Sequence, residues 1–274
     1  MSATMIDGQK AISVLHETSQ RVSHTRPITI PSPESLSAVT ADAATLEAND
    51  VVGFNARDIR SRPFNLLRKL VLKEMSAKGW RSIGITSAAP DAGKSFLSAN
   101  LAAALAQLND RRVYLFDFDL RRASLAEKLG VEGNAGLHDF LEGHVDGLNT
   151  IGRHVTNLNL TLFPCYPTNC NSAELLASAR FEALTNAMRA TPDDVIMVCD
   201  LPPAFANDDA MSIIQRLDAY LFVVEEGITT KAQIRDAMQL LAPAPCLGTV
   251  LNRHKPSANG SYGYGANYSR YYGE

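Results

Sequence analysis

The residues best suited to chemistry are Ser87-Ala88-Ala89-Pro90-Asp91-Ala92-Gly93-Lys94-Ser95. A short apolar run, Ile83-Gly84-Ile85, precedes them and reads as a strand, and Phe96–Leu105 follows with helical composition. Strand, tight loop, Gly-Lys-Ser and helix is the context in which unpaired backbone N–H groups at a helix start receive phosphate oxygens. Pro90, Asp91, Ala92, Gly93, Lys94, Ser95 and Phe96 therefore form a candidate phosphate cradle. Lys94 is expected to reach the terminal phosphates, and the Ser95 hydroxyl to sit on Mg2+. Ala88 stands where the pattern usually opens on glycine.

Acidic residues end two other apolar runs. Asp117-Phe118-Asp119 closes Val113–Phe116, and Asp200-Leu201-Pro202-Pro203 closes Val195–Cys199. Side chains one apart alternate faces while a strand lasts. At its end the backbone can turn both Asp117 and Asp119 toward a nucleotide, one to hold Mg2+ and the other to accept a proton. Asp200 after four apolar residues has the Walker B pattern of a carboxylate in the Mg2+ shell, and the two prolines stop the strand behind it. Asp209 is a candidate cap of the next helix or a further member of that shell. Arg121 and Arg122 follow the Asp-x-Asp; an arginine here could neutralise charge on a transferring phosphoryl group, or the pair could serve a surface or subunit contact. Asn252-Arg253 ends the last apolar run, where an amide could read a purine edge or simply shape a turn.

The elements that must position these groups alternate along the chain. Strands are expected at Arg81–Ser87, Arg112–Asp119, Leu158–Phe163, Val195–Cys199, Tyr220–Val224 and Leu247–Leu251. Helices are expected at Phe64–Met75, Lys94–Leu108, Gly136–Glu142, Ser172–Ala190 with Ser172 as its cap, near Asp209–Gln215, and at Thr230–Leu241. Repeated β–α alternation implies an α/β fold: a mostly parallel sheet with helices on both faces, of the P-loop NTPase type, with ligands at the carboxyl ends of the strands. Residues 1–55 are polar and broken by proline and serine, which reads as a flexible extension with one short helix at Lys10–Val22. The nucleotide-binding domain is expected over 56–254, followed by a flexible tail over 255–274.

Bulk composition removes several functions. The chain has 274 residues, 46% hydrophobic and 20% charged, with a net charge of −3. That balance gives no electrostatic footprint for nucleic acid. The four cysteines lack Cys-x-x-Cys spacing, and Cys199 and Cys246 read as reduced core residues. No stretch approaches the roughly 20 apolar residues that span a bilayer, and no signal peptide is expected. The chain reads as cytoplasmic, with any membrane association supplied by a partner.

The tail is the other distinctive stretch. Of eight tyrosines, Tyr262, Tyr264, Tyr268, Tyr271 and Tyr272 lie within it, among glycine, serine and asparagine. Such a segment cannot bury a core. A set of phosphate acceptors explains the phenols, and about 20 residues at roughly 3.3–3.6 Å each could reach a neighbouring molecule's site.

Taken together, Pro90-x-x-Gly93-Lys94-Ser95, Asp117-x-Asp119-x-Arg121, Asn171-x-x-Glu174-Leu175-Leu176, Asp200-x-Pro202-Pro203 and the tyrosine tail resemble the bacterial tyrosine kinase family of exopolysaccharide and capsule biosynthesis, P-loop proteins related to MinD- and ParA-type ATPases. The resemblance covers about residues 60–253 plus the tail. It implies ATP-dependent autophosphorylation of the tail in trans, self-association into a ring that phosphorylation disperses, a transmembrane polysaccharide co-polymerase-type activator at the inner membrane, and room for a cognate tyrosine phosphatase. On the matched positions, the loop, Lys94 and Mg2+ would hold ATP, Asp117 would accept the phenol proton, and Asp119 and Asp200 would lie nearer the metal, with the two aspartates of the Asp-x-Asp interchangeable in role. The sequence departs from the family at three places. Asp91-Ala92 replaces the common Gly-Glu of the loop, Arg62, Asn65 and Arg68 stand where a Glu-x-x-Arg-x-x-Arg oligomerisation motif is usual, and the tail is short with its tyrosines not continuous. Two other readings stay open: a MinD- or ParA-like ATPase, against which Ala89 stands where that class carries a lysine, and a non-catalytic nucleotide-binding regulator.

Overall fold

The computed structural model describes residues 27–168 and 170–254. Among them the strands are β1 (Ser37–Val39), β2 (Ser82–Ser87), β3 (Arg112–Asp117), β4 (Arg153–Val155), β5 (Leu160–Phe163), β6 (Val195–Asp200), β7 (Ala219–Glu225) and β8 (Cys246–Asn252). They form one sheet in the order β1-β4-β5-β3-β6-β2-β7-β8. Every pairing is parallel except β4 with β5.

The central strands are continuous apolar runs because both faces are covered. Period-2 alternation splits each strand between two cores. Val113 and Leu115 of β3 face one core, with Ile196 and Val198 of β6 and Leu221 and Val223 of β7. Tyr114 and Phe116 face the other, with Met197, Cys199 and Phe222. Helix α2 (Arg62–Lys78) buries only Phe64, Val71 and Met75 on one stripe. Helix α3 (Lys94–Leu105) is buried all round from Leu97 to Leu105, because it lies between α2 and the sheet. This fixes the helix that opens on Lys94 against β2, which leads into the loop, and against β3 and β6, whose ends carry Asp117 and Asp200.

The segment from Pro27 to Asn55 corrects the expected flexible extension over 1–55. It supplies β1 to the sheet edge and a short helix, α1 (Ala43–Ala48), and it buries Leu46, Val51 and Val52. Its alanine-rich sequence shows no apolar stripe because polar groups do much of the holding. The Asn157 side chain bonds both the N–H and the carbonyl of Ala41, at 3.0 and 2.9 Å. Buried Asn100 on α3 accepts from Val52 N and Gly53 N at 2.8 and 2.9 Å and donates to Asp50 O at 3.0 Å. Gly53 is required there, since a Cβ would lie 2.1 Å from the Asn100 carbonyl oxygen. Arg60 also bridges Glu47, Asp50 and Asp58, but it is 42% exposed, and exposed pairs contribute little beside buried hydrogen bonds. Residues 1–26 and 255–274, with the expected Lys10–Val22 helix and all five tail tyrosines, lie outside the described residues.

Other differences are local. The single helix expected over Ser172–Ala190 is two, α7 (Ser172–Leu176) and α8 (Ala179–Arg189). Ser178 is extended and its hydroxyl caps α8 through Phe181 N, and α7 starts from Asn171 rather than Ser172. Cys199 is buried as expected, but Cys246 is exposed because β8 forms the sheet edge. Short helices α4 (Leu125–Lys128), α5 (Leu137–Glu142) and α6 (Leu148–Ile151) precede α7; α9 (Asp209–Ile214) and α10 (Lys231–Leu241) follow α8. Two of the three aligned oligomerisation positions are used inside the subunit: Arg68 donates to Ala104 O at 2.8 Å and Asn65 to Ser61 Oγ at 3.2 Å.

Asn100→Ala would orphan the amides of Val52 and Gly53. We expect a loss of about 2–3 kcal/mol and a Tm lower by roughly 5–10 °C, measured by thermal denaturation, whereas Arg60→Ala should change Tm by less than about 4 °C.

Candidate active site

The site forms where β2, β3, β6 and β8 end on the same edge of the sheet. The phosphate-cradle loop leaves β2 and is stitched to the segment after β6. Ala204 N donates to Ser87 O at 2.7 Å, Phe205 N to Ala88 O at 3.2 Å, and Thr86 Oγ1 to Pro202 O at 2.8 Å. Two residues then take left-handed backbone, Asp91 at φ 62° and Gly93 at φ 94°. Aspartate tolerates this region better than most residues. Gly93 needs it twice over, because a Cβ would sit 2.0 Å from Asn252 Nδ2. Asn252, at the end of β8, donates that amide to Ala92 O at 2.8 Å. No side chain caps α3 at Gly93, so the first N–H groups of a long helix are left for an anion.

Opposite the loop stand the acidic residues. Asp117 and Asp200 are direct register partners on the adjacent strands β3 and β6, and both are fully buried. Asp117 Oδ2 accepts from Ser124 N and Leu125 N at 3.1 and 3.0 Å and so caps α4. Asp200 Oδ1 accepts from Ser98 Oγ at 2.9 Å. The other oxygen of each, Asp117 Oδ1 and Asp200 Oδ2, is buried without a hydrogen-bond partner. Burial, then the neighbouring Asp200 charge, raises the Asp117 carboxyl well above its usual range. Burial pushes Asp200 up to about 6, although Lys94, Ser95 and Ser98 draw it down.

Two unpartnered buried carboxylate oxygens beside a buried lysine suit a hard divalent cation with oxygen ligands. Among the described residues no three His, Cys, Asp or Glu side chains converge as a metal cluster. Ser95 and Asp119 line the cleft beside buried Asp200, an oxygen donor set that would fit Mg2+ completed by phosphate and water.

A cleft of about 340 Å³ lies above these groups, lined by Pro90, Asp91, Gly93, Lys94, Ser95 and Phe96 on the loop side, with Asp119, Arg122, Ser124, Lys128, Pro203 and Arg253 around it. Most of the residues expected from sequence line this cleft, but Asp117 and Asp200 are fully buried and are not part of its lining. Ala92 is buried just behind, offering its carbonyl to Asn252. Asn252 thus braces the loop. Arg121 does not line the cleft: its Nε donates to Ser172 Oγ at 2.9 Å and lies 3.7 Å from the buried Asp209 carboxylate. Asp209 is the first residue of α9 and also accepts from Asn207. Ser124 and Lys128 were not singled out from sequence, and of the arginine pair it is Arg122, not Arg121, that lines the cleft. The signal for Arg122 was the acceptor at Asp119, whose Oδ1 takes the Arg122 N–H at 3.0 Å and turns the chain.

The fold and this cleft define a nucleotide-binding domain. Residues 83–264 match the family model described as the CobQ/CobB/MinD/ParA nucleotide binding domain, and the chain belongs to that family. It is 33% identical over 208 residues to the putative tyrosine-protein kinase EpsB of Ralstonia nicotianae, covering 75% of this chain and 27% of that protein. It is 29% identical over 221 residues to tyrosine-protein kinase YwqD of Bacillus subtilis, covering 80% of this chain and 92% of that one. Among solved structures it is similar to the kinase domain of the Escherichia coli tyrosine kinase ETK, with a TM-score of 0.66, 27% identity and 90% of each chain covered. The chain spans about a quarter of the length of the first curated relatives it matches. No described helix is long and apolar enough to cross a membrane.

The raised Asp200 gives a test with a defined sign. Its folded value, about 6, exceeds the ordinary carboxylate value of about 3.9. Its contribution to stability is therefore lost as pH rises from about 4 to about 6, and the loss is complete above that. Without nucleotide, Asp200→Asn should be more stable than the parent by about 1–3 kcal/mol at pH 7.5, with the difference shrinking toward pH 4.5, measured by denaturant titration at each pH.

Proposed function

We propose that this chain is an ATP-dependent protein-tyrosine autokinase that phosphorylates the Tyr262, Tyr264, Tyr268, Tyr271 and Tyr272 tail of a second copy, in the synthesis or export of an exopolysaccharide or capsule. The observation that carries the reading is one cleft lined by Gly93-Lys94-Ser95 and Asp119, with buried Asp200 against Lys94 and Asp117 beside Asp200 on the neighbouring strand. The names of the relatives and the five phenols just beyond Arg253 support the choice of acceptor.

The chemistry follows from what each group can do. The amides of the loop and the start of α3 hold the phosphates, and Lys94 neutralises charge that builds on the transferring group. Ser95, Asp119 and Asp200 would hold Mg2+, whose charge would add to that neutralisation. A phenol ionises near pH 10 in water, so its oxygen needs a base at neutral pH. Asp117 has the raised proton affinity and an unpartnered oxygen, and we assign it that role. A well-matched base contributes about 10²–10⁴ in rate; alignment of phenol and terminal phosphate must supply much of the rest.

A transmembrane polysaccharide co-polymerase-type partner would activate the kinase and hold it at the inner membrane. Association between copies would bring one tail to another's cleft. The commitment of Arg68 and Asn65 within the subunit favours a contact different from the family ring.

With Mg-ATP and the partner's cytoplasmic segment, mass spectrometry should find phosphotyrosine within 262–272. Lys94→Met should lower the signal at least 100-fold. Asp117→Asn should remove the pH dependence of the rate, whereas Asp119→Asn should weaken binding of the metal nucleotide and keep that dependence. The opposite pattern assigns the base to Asp119. Nucleotide binding with no phosphotransfer in any condition would make the chain a nucleotide-sensing regulator.

A further inference from the structure

The charges around the cleft do not cancel in the way its loop requires. Asp91 brings a carboxylate to the wall whose amides must meet phosphate, and at φ 62° it stands in the turn itself. Among the described residues it has no hydrogen bond or ion pair. Four cations face the same space: Lys94, Arg122, Lys128 and Arg253. Two of them are already engaged. Arg253 Nη1 is paired with Glu225 Oε1 at 2.7 Å, and Lys94 offsets buried Asp200. Arg122 and Lys128 have no side-chain hydrogen bond or ion pair among the described residues.

Their backbone anchoring is specific. Asp119 Oδ1 takes the Arg122 N–H and turns that residue into the cleft. Lys128 ends α4, whose first amides are held by Asp117 Oδ2. The two aspartates of the Asp-x-Asp thus position two unpaired cations on the wall facing the loop.

We propose that Arg122 and Lys128 form a second cationic clamp, which takes the terminal phosphate of a bound nucleoside triphosphate and offsets Asp91. The clamp makes the cleft selective for a triphosphate over a diphosphate, because the charge it receives is the one a diphosphate lacks. It rests on the nucleotide reading above and deepens it.

Calorimetric titration of the full chain with the Mg2+ complexes of ADP and of an ATP analogue with an imido bridge tests this. Lys128→Gln and Arg122→Gln should each weaken the triphosphate tenfold or more and the diphosphate less than threefold, with the Tm of the ligand-free protein unchanged. Lys128→Arg should keep the parent affinity. Asp91→Asn should tighten the triphosphate, and in the Lys128→Gln background it should recover a large part of the loss. Equal losses for both nucleotides, or no loss, would overturn the clamp while leaving nucleotide binding intact. A parent protein that binds neither nucleotide overturns the reading on which the clamp rests.

Discussion

Two carboxylates buried side by side set the terms for this molecule. Asp117 and Asp200 are register partners on neighbouring strands, both fully buried, and each keeps one oxygen unpartnered. A protein designed only for stability would not place them so, because buried like charges raise each other's proton affinity and cost folding free energy. Lys94, the Ser98 hydroxyl and the amides of Ser124 and Leu125 offset part of that cost. A cation entering the site would relieve the remainder. The apolar strands that carry the pair, and the buried helix α3 that brings Lys94 to it, follow from this one arrangement.

The loop shows the same economy of parts. Asn252 makes one hydrogen bond, to Ala92 O, yet it connects the last strand to the phosphate cradle and leaves no space for a side chain at Gly93. Arg121 is turned to Ser172 and Asp209, linking the segment after β3 to α7 and α9. The elements quoted in the family resemblance are therefore physically joined: the Asp-x-Asp-x-Arg stretch touches both the start of the Asn171–Leu176 motif and the helix after Asp200-Leu201-Pro202-Pro203.

Much of this was legible in the sequence wherever apolar runs ended in charged or glycine residues. The central strands, the start of α3 at Lys94 and the convergence of Pro90–Phe96 with Asp119 follow from periodicity and motif spacing. What was hidden depended on side chains acting at long range. Residues 27–55 lack an apolar stripe, and their place in the fold rests on Asn157 and Asn100, more than 40 residues away in the chain. Lys128 belongs to no motif and enters the cleft only through the turn that Asp117 organises. The exposure of Cys246 could not be read from its apolar run, because nothing local marks a strand as the sheet edge.

The central claim is that the cleft of one copy transfers phosphate to the tail of another. A mixing measurement tests it most directly. One chain carries Phe at the five tail tyrosines and keeps Lys94; the other carries Lys94→Met and keeps its tail. Incubated together with Mg-ATP and the activating partner segment, the pair should yield phosphotyrosine on the Lys94→Met chain alone, and neither chain by itself should yield any. Phosphotyrosine absent from the mixture, while the unaltered protein modifies its own tail, would contradict transfer between copies.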